Sequence, residues 1–368
     1  MNKCLHIVTL DVPFPADYGG AIDMYTRLLA LKRAGFTIHL HCFEYGRGKM
    51  PEAEELKLAD RVYYYGRRTG VFSQLSSKPY IVKSRENDQL LKRLLSDSWP
   101  VLLEGQHCSG IAHALKMAEK RVLVRMHNIE WQYYSNLAKS ANRFLDRFYF
   151  QVEARKLKRD EQALRDIPLA CITEADTIHY KNLGFEVHWV PPVVLRSSYE
   201  NKPGEYYLFH GNLSVAENEE AVRIIIAENQ RKPFSAHVII AGKNPSAFLS
   251  KQIEDAGFEL QADPNTADMD ALIAGARVHL LITRKVAGIK MKLLQSLGSQ
   301  GHCIATKEMV ENTGLAELCT IWEEDQTLAA CCNLAQQDGF THQKRQEILE
   351  STFGAASYVK QIEKLLFA

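Results

Sequence analysis

The chain has 368 residues, with 45 lysines and arginines against 44 aspartates and glutamates. That length suggests two domains with separate cores, and the balanced charge offers no electrostatic footprint for nucleic acid. No run approaches the roughly 18 apolar residues of a membrane span, and the eight cysteines contain no C-x-x-C pair, so neither zinc nor a disulfide framework is indicated.

Leu5 to Leu10 is an apolar run followed by Asp11, without a small-residue cleavage pattern. It reads as a first strand and not a signal peptide, and the chain as reduced and cytoplasmic. The loop Asp11 to Gly20, D-V-P-F-P-A-D-Y-G-G, is rich in turn formers and ends in the pair Gly19 and Gly20. A helix is expected from about Ala21 to Ala34, closed by Gly35, and a strand from Phe36 to Phe43. The dinucleotide fingerprint G-x-G-x-x-G is missing here. Two adjacent glycines let a ligand approach the backbone closely, although a plain tight turn explains them equally well.

Further strands are expected at Arg61 to Tyr65, Val101 to Leu103 and Val122 to Val124. Glu104, Gln106 and His107 follow the second of these, and His127, Asn128 and Glu130 follow the third. In open α/β sheets the carboxyl ends of strands face the ligand crevice, where a histidine can bond a sugar hydroxyl or handle a proton. A histidine satisfied by loop backbone is the competing reading. From about Asn142 to Arg165 the pattern is helical and highly charged. Phe144, Phe148, Val152 and Leu164 mark a buried face, and Arg143, Arg147, Arg155, Lys158 and Arg159 crowd the rest. Such a helix allows peripheral contact with acidic lipid, but Glu153, Asp160, Glu161 and Asp166 dilute the charge and favour a solvated face. Strands at Leu169 to Ile172 and Val187 to Val190 follow, with T-E-A-D opening the helix between them.

Pro191-Pro192 and Arg196 to Gly204 have the composition of a linker. A second strand–helix series begins at Tyr206 to Phe209, followed by H-G-N-L-S and a helix near Glu217 to Glu228. Strands at His237 to Ala241, Phe258 to Leu260 and Val278 to Ile282 continue it. Gly288 then breaks the pattern, and Ile289, Leu293, Leu294 and Leu297 recur at helical spacing, with Gly301 placed to end the helix. His302 to Ala305 is another short strand, and helices are expected at Gln326 to Gln336 and Gln343 to Leu349. Arg284, Lys285, Lys290 and Lys292 surround the start of the helix that follows Gly288. Lysines there oppose the helix's own dipole, a conflict that a bound diphosphate would remove. A solvated basic edge is the equal alternative. Strands and helices alternating on both sides of a linker imply two doubly wound α/β domains facing a cleft.

Four stretches, in order along most of the chain, resemble the GT-B glycosyltransferases, specifically the large retaining family of bacterial mannosyl- and glucosyltransferases (group 1, family-4-like). P-F-P-A-D-Y-G-G is similar to that family's glycine loop, and M-H-N-I-E to its H-N-x-E segment. H-G-N-L-S-V-A-E-N resembles the opening strand of its donor domain. R-K-V-A-G-I-K-M-K-L-L-Q-S-L-G resembles its R-x-x-x-G-x-K-x-K-x-L-E-A-L-A donor motif. The resemblance implies a GT-B fold of two Rossmann-like domains. Residues 1–192 would form the acceptor side, residues 203–350 the nucleotide-sugar donor domain, and residues 351–368 a helix crossing back onto the first domain.

It also implies a hexosyltransferase that moves a sugar from a nucleotide-diphosphate donor with retention, without a metal or other cofactor, as in polysaccharide biosynthesis. Arg284 and Lys290 would hold the diphosphate beside Gly288. Gly19 and Gly20 would close on the sugar and phosphates, and Gly211 and Asn212 would border the donor pocket. His127 would bond the donor sugar or orient the acceptor, which is a sugar, a lipid-linked group or a glycan. Two positions depart from the family pattern. Gln295 stands where a glutamate commonly grips the ribose, and Ala287 where many members have a glutamate contacting the sugar. A nucleotide-sugar epimerase or hydrolase, or a non-catalytic nucleotide-sugar-binding relative, are the alternative activities. The expected location is cytoplasmic, with peripheral contact at the inner membrane face.

Overall fold

The computed structural model describes residues 3–70, 73, 76–141, 143–194, 204–285, 288–335 and 342–368. Apolar runs bounded by glycine, proline and polar loops form strands, and helices between them return the chain to the other end of the sheet, so the strands run parallel. The first run comprises β1 (Cys4–Thr9), α1 (Gly19–Arg33), β2 (Thr37–Glu44), α2 (Glu52–Leu58), β3 (Arg61–Gly66), α3 (Tyr80–Lys83) and α4 (Asp88–Leu94). It continues with β4 (Val101–Glu104), α5 (Ala112–Met117), β5 (Val122–Met126), α6 (Glu130–Ser140), α7 (Phe144–Gln162), β6 (Leu169–Cys171), α8 (Glu174–Asn182) and β7 (Val187–Trp189). These strands make a seven-stranded sheet of order β3-β2-β1-β4-β5-β6-β7.

The second run comprises β8 (Tyr206–Asn212), α9 (Ala216–Arg231), β9 (His237–Lys243), α10 (Ala247–Asp255), β10 (Glu259–Ala262), α11 (Thr266–Gly275) and β11 (Val278–Leu281). After it come α12 (Met291–Leu297), β12 (His302–Ala305), α13 (Lys307–Val310), β13 (Thr320–Ile321), α14 (Leu328–Ala335), α15 (His342–Phe353) and α16 (Ala355–Leu366). Its sheet has six strands in the order β10-β9-β8-β11-β12-β13. In both sheets the winding direction reverses beside the first strand, between β1 and β4 and between β8 and β11. A ligand crevice opens beyond the carboxyl ends of strands at such a switch point.

Two compact units result. One contains residues 1–16, 20–193 and 355–368, and the other contains residues 17–19 and 194–354. α16 belongs to the first unit because it buries one stripe, Tyr358, Ile362 and Leu366, spaced four apart. Around it, Phe36 and Phe367 meet edge to face at 5.6 Å, and Lys3 pairs with Glu363. The second unit has its own core, in which Tyr207, Phe209, Val222, Ile240, Val278 and Leu280 are among the buried side chains. Most of the expected linker, from Arg196 to Pro203, lies outside the described residues. No helix among the described residues is long and apolar enough to cross a membrane.

Several expected elements differ in detail. α7 does not bury Phe144 and Phe148, which are 78% and 58% exposed. Its buried stripe is Glu153, Ala154, Leu157 and Glu161. Polar contacts make this possible: Glu153 accepts from the Tyr80 backbone N–H at 2.6 Å, and Glu161 from the Tyr180 hydroxyl at 2.7 Å. The helix after Gly288 is also shorter than its apolar spacing suggests. Lys290 is its N-cap in extended conformation, and α12 ends at Leu297 with Gly298 at the C-cap. Gly301 has another task, since a Cβ there would fall 2.4 Å from the Ala276 carbonyl oxygen.

Candidate functional site

In the second unit, polar side chains gather beyond the carboxyl ends of β8 and β11, at the switch point. Glu217 lies in the first turn of α9. Its Oε1 accepts from the Thr283 hydroxyl at 2.6 Å and pairs with Lys290 Nζ at 2.9 Å. Burial pushes this carboxyl up, but the Thr283 and Lys290 contacts outweigh it and hold it below the usual carboxylate range. Lys292 Nζ donates to Asn218 Oδ1 at 3.0 Å and stands 4.9 Å from the centre of the Phe209 ring. Burial lowers the Lys292 ammonium to about 8, with Glu217 opposing and Lys290 reinforcing the shift. The result is a fixed pair of lysines with only one carboxylate between them, a composition suited to an anion.

The remaining expected residues fall around this cluster in different ways. Gly211 packs closely on Asn218: a Cβ there would lie 3.0 Å from Asn218 Nδ2, so that side chain would have to shift slightly. Asn212 is occupied locally: its side-chain oxygen accepts from Ser214 N at 3.0 Å and its carbonyl from Asn218 Nδ2 at 2.8 Å. Gln295 is half-buried and lies close enough to His210 to act on its charge, while His210 Nε2 is buried without a hydrogen-bond partner. Burial and the nearby Lys292 lower His210 to about 3, so this ring is neutral. Arg284 is 55% exposed in its side chain and pairs with Glu324 at 2.7 Å. Gly288 is exposed in a bend before α12. Ala287 lies outside the described residues.

The first unit presents a second set of groups at the ends of β4 and β5. Arg27 on α1 grips Glu104 with two parallel bonds, 2.7 and 2.8 Å, and donates from Nε to Asp23 at 3.1 Å. Arg125 completes the network with a 3.3 Å contact to Asp23 and a 2.6 Å bond to the Val190 carbonyl. Burial pushes the Glu104 carboxyl up, but Arg27 and His127 prevail and hold it far below the ordinary range. His127 Nε2 is 2.8 Å from Glu104 Oε2. An ionised carboxylate only accepts, so the Nε2 that faces it carries a proton. Gly19 and Gly20 are the first two residues of α1.

Next to this network, His107 Nδ1 is buried without a hydrogen-bond partner, 4.0 Å from Glu130 Oε1. Gly105, in the left-handed region at φ 71°, turns the chain so that His107 folds back under the end of β4. Burial raises Glu130 to about 7, and burial together with Arg85 keeps His107 well below its usual value. A buried acid and base with opposed shifts at a strand end form a pair able to exchange a proton with a ligand. The structure thus brings Glu217, Thr283, Asn218 and His210 to the lysines that the sequence singles out, Lys290 and Lys292, and Arg27 to Glu104. Glu217 reads in sequence as one of several acids opening a helix. Only the parallel pairing of β8 with β11 brings it to Lys290. Among the described residues no group of three histidine, cysteine or acidic side chains is arranged to hold a metal ion.

No family model matches the chain. It is 23% identical over 342 residues to a Klebsiella pneumoniae protein named "Uncharacterized 44.6 kDa protein in cps region", with 84% of each chain covered. Three solved structures extend over nearly its whole length. Anabaena HepE in complex with UDP-glucose superposes with a TM-score of 0.66 at 14% identity, covering 99% of both chains. Sucrose-phosphate synthase from Thermosynechococcus elongatus gives 0.65 at 11%, covering 99% of this chain and 98% of that one. The α,α-trehalose-phosphate synthase (UDP-forming) from Burkholderia xenovorans, in complex with glucose-6-phosphate, gives 0.63 at 12%, covering 100% of each. The chain has the GT-B fold. At these identities the likeness establishes the architecture alone.

Proposed function

We propose that the chain is a glycosyltransferase of the retaining, family-4-like kind, moving a hexosyl group from a nucleotide-diphosphate sugar to an acceptor hydroxyl. The observation that carries this reading is the Lys290–Glu217–Thr283 cluster with Lys292 at the switch point of the second sheet. The donor diphosphate lies against Lys290 and Lys292, with Arg284 at the exposed margin. Bond making joins the acceptor oxygen to the anomeric carbon while the bond from that carbon to the diphosphate breaks. The nucleoside diphosphate leaves with the electron pair, and the acceptor's proton passes to it or to water. Fixed cations stabilise the charge that develops on the leaving group, the task a metal ion performs elsewhere. His127, locked by Glu104, bonds a sugar or acceptor hydroxyl. Gly19, Gly20, Gly211 and Gly288 give the ligand room at the backbone.

HepE in its complex with UDP-glucose makes uridine the first base to test. The phosphorylated sugar bound to the trehalose-phosphate synthase, and the cps-region relative, make sugars, glycans and lipid-linked sugars the acceptor classes to test. This reading places the chain in the cytoplasm, with peripheral contact at the inner membrane face. The test is incubation with a panel of UDP-, GDP- and ADP-sugars, with and without these acceptors, followed by chromatography of nucleotides and products. Transfer predicts nucleoside diphosphate release that depends on acceptor and yields a glycosylated product. Release without any acceptor indicates a hydrolase, and altered sugar with the donor intact indicates an epimerase. Tight donor binding without turnover indicates a binding protein, the outcome that Gln295 and Ala287 make worth testing.

A further inference from the structure

The pairing of β12 with the edge strand β13 sets Ile304 opposite Thr320 and Ala305 opposite Ile321. One step back in the same register, Cys303 stands opposite Cys319. Cys319 directly precedes β13 with extended backbone, at φ −126° and ψ 148°, so the strand geometry continues through it. Residues opposite each other in paired strands turn their side chains to the same face of the sheet. A strand spacing of about 4.8 Å puts the two Cα atoms inside the range that a disulfide spans. β13 has two residues and lies at the sheet edge, so a small further approach of the two sulfurs disturbs few bonds. Both cysteines are free thiols.

The surroundings single out this pair. Arg345 on α15 brings Nη1 to 4.0 Å from Cys303 Sγ and donates from the same nitrogen to the Gly301 carbonyl at 2.9 Å. Burial pushes the Cys303 thiol up, but the neighbouring Cys319 thiol and the Arg345 guanidinium outweigh it and hold Cys303 below the ordinary thiol value. Cys319 is raised well above that value, first by Cys303 and then by burial. One sulfur is thus the readier nucleophile, and the other keeps its proton. Cys303 is buried and Cys319 half-buried, so a small reagent reaches the pair from the Cys319 side. Cys42, Cys108 and Cys171 are different, being buried and raised mainly by burial. Cys331 and Cys332 are raised for the same reason, and adjacent residues of a helix such as α14 do not face each other.

We propose that Cys303 and Cys319 form a redox site, oxidised reversibly to an intrachain disulfide by a small peroxide. The Cys303 thiolate beside Arg345 attacks one peroxide oxygen and the O–O bond breaks. The second oxygen leaves as water once it is protonated, and a sulfenic acid remains on Cys303. The Cys319 sulfur then attacks the sulfenic sulfur, the S–O bond breaks, and a second water leaves with the Cys319 proton. The two thiols lose two electrons and the peroxide gains them. A dithiol reductant reverses the step by exchange, which makes the bond transient in a reducing compartment. The disulfide ties the edge strand to β12. This inference stands apart from the transferase reading, since the oxidation needs no donor.

The test is titration of the reduced full chain with hydrogen peroxide, followed by acid quenching, alkylation of the remaining thiols and peptide mapping by mass spectrometry. The peptides carrying Cys303 and Cys319 are expected to appear linked, with the loss of two hydrogens, before any other disulfide forms. Dithiothreitol should restore both thiols. Cys319→Ser should abolish the linkage and leave Cys303 as a sulfenic acid that dimedone traps. Wild type in which both thiols stay open to alkylation while a disulfide forms elsewhere overturns the proposal. So does peroxide treatment that links chains to one another through Cys319, or that carries Cys303 to the sulfinic acid with no linked peptide on the way.

Discussion

Lys292 and Gln295 lie on one short helix, and each has a consequence that can be measured. The folded pKa of Lys292, about 8, is below the ordinary lysine value of about 10.4. The unfolded chain therefore holds more protons between those values, and this group's contribution to stability rises with pH across that window. A bound diphosphate favours the charged ammonium. Nucleoside diphosphate affinity should therefore fall as pH rises through about 8, and Lys292→Arg should remove that decline, because arginine stays charged. Isothermal titrations from about pH 7 to 9 measure this, and a pH-independent affinity in wild type would contradict it.

Gln295 lies beside His210, a neighbour that no spacing in the sequence indicates. Gln295→Glu would place a carboxylate against that ring and raise its pKa from about 3, a shift that histidine proton resonances report. If the side chain also reaches the ribose, UDP affinity should rise by up to about 1 kcal/mol. Equal or weaker affinity would leave Gln295 as a neighbour of His210 without a ribose role.

Among elements, the parallel strands were the most legible. Apolar runs at Leu5 to Leu10, Val122 to Val124 and Val278 to Ile282 are buried on both faces, so hydrophobicity alone locates them. β13, of two residues, carries no such signal. α7 was misread because its aromatic residues look like a core face, while the face it buries carries Glu153 and Glu161, whose partners lie far away in sequence. The pairing of α1 with β4 through Arg27 and Glu104 was hidden for the same reason. Removing one member of a buried ion pair leaves the other uncompensated, at a cost of about 3–5 kcal/mol. Arg27→Leu leaves Glu104 with His127 and Asp23 with Arg125, and should lower stability by up to that amount in urea unfolding at neutral pH. A change under about 1 kcal/mol would show that the network contributes little net stability. The depressed Glu104 pKa means that its contribution is present above about pH 4.3 and is lost as pH falls through the folded value.

At the scale of the whole molecule, the two-domain α/β architecture was readable from the alternation of strands and helices. The site was readable only in part, since the pairing of β8 with β11 brings its residues together from sequence positions as distant as Glu217 and Lys290. A shared feature of the two units is their buried histidines. His41 and His107 in the first, and His210 and His279 in the second, are all lowered below the ordinary value, in each case mainly by burial. Their stability contribution is complete above about pH 6.5 and declines as pH falls below it, because the unfolded chain then binds more protons. The raised carboxyl of Glu130 acts in the opposite direction, so an unfolding curve mixes the two. Ring proton resonances separate them. These four histidines should show no titration between about pH 8 and 6, and a midpoint near 6.5 for any of them would contradict its burial as a neutral group.

The central claim is that the second unit binds a nucleoside diphosphate through its lysine cluster. Calorimetric titration of UDP and GDP into wild type, Lys290→Ala and Arg284→Ala tests it directly. One nucleotide should bind wild type at one site per chain. Each substitution should weaken it by roughly 1.5–3 kcal/mol, the scale of a charge-assisted contact, with the larger loss at Lys290 because Arg284 sits at the exposed margin. Failure of wild type to bind either nucleotide, or unchanged affinity in both variants, would contradict the account.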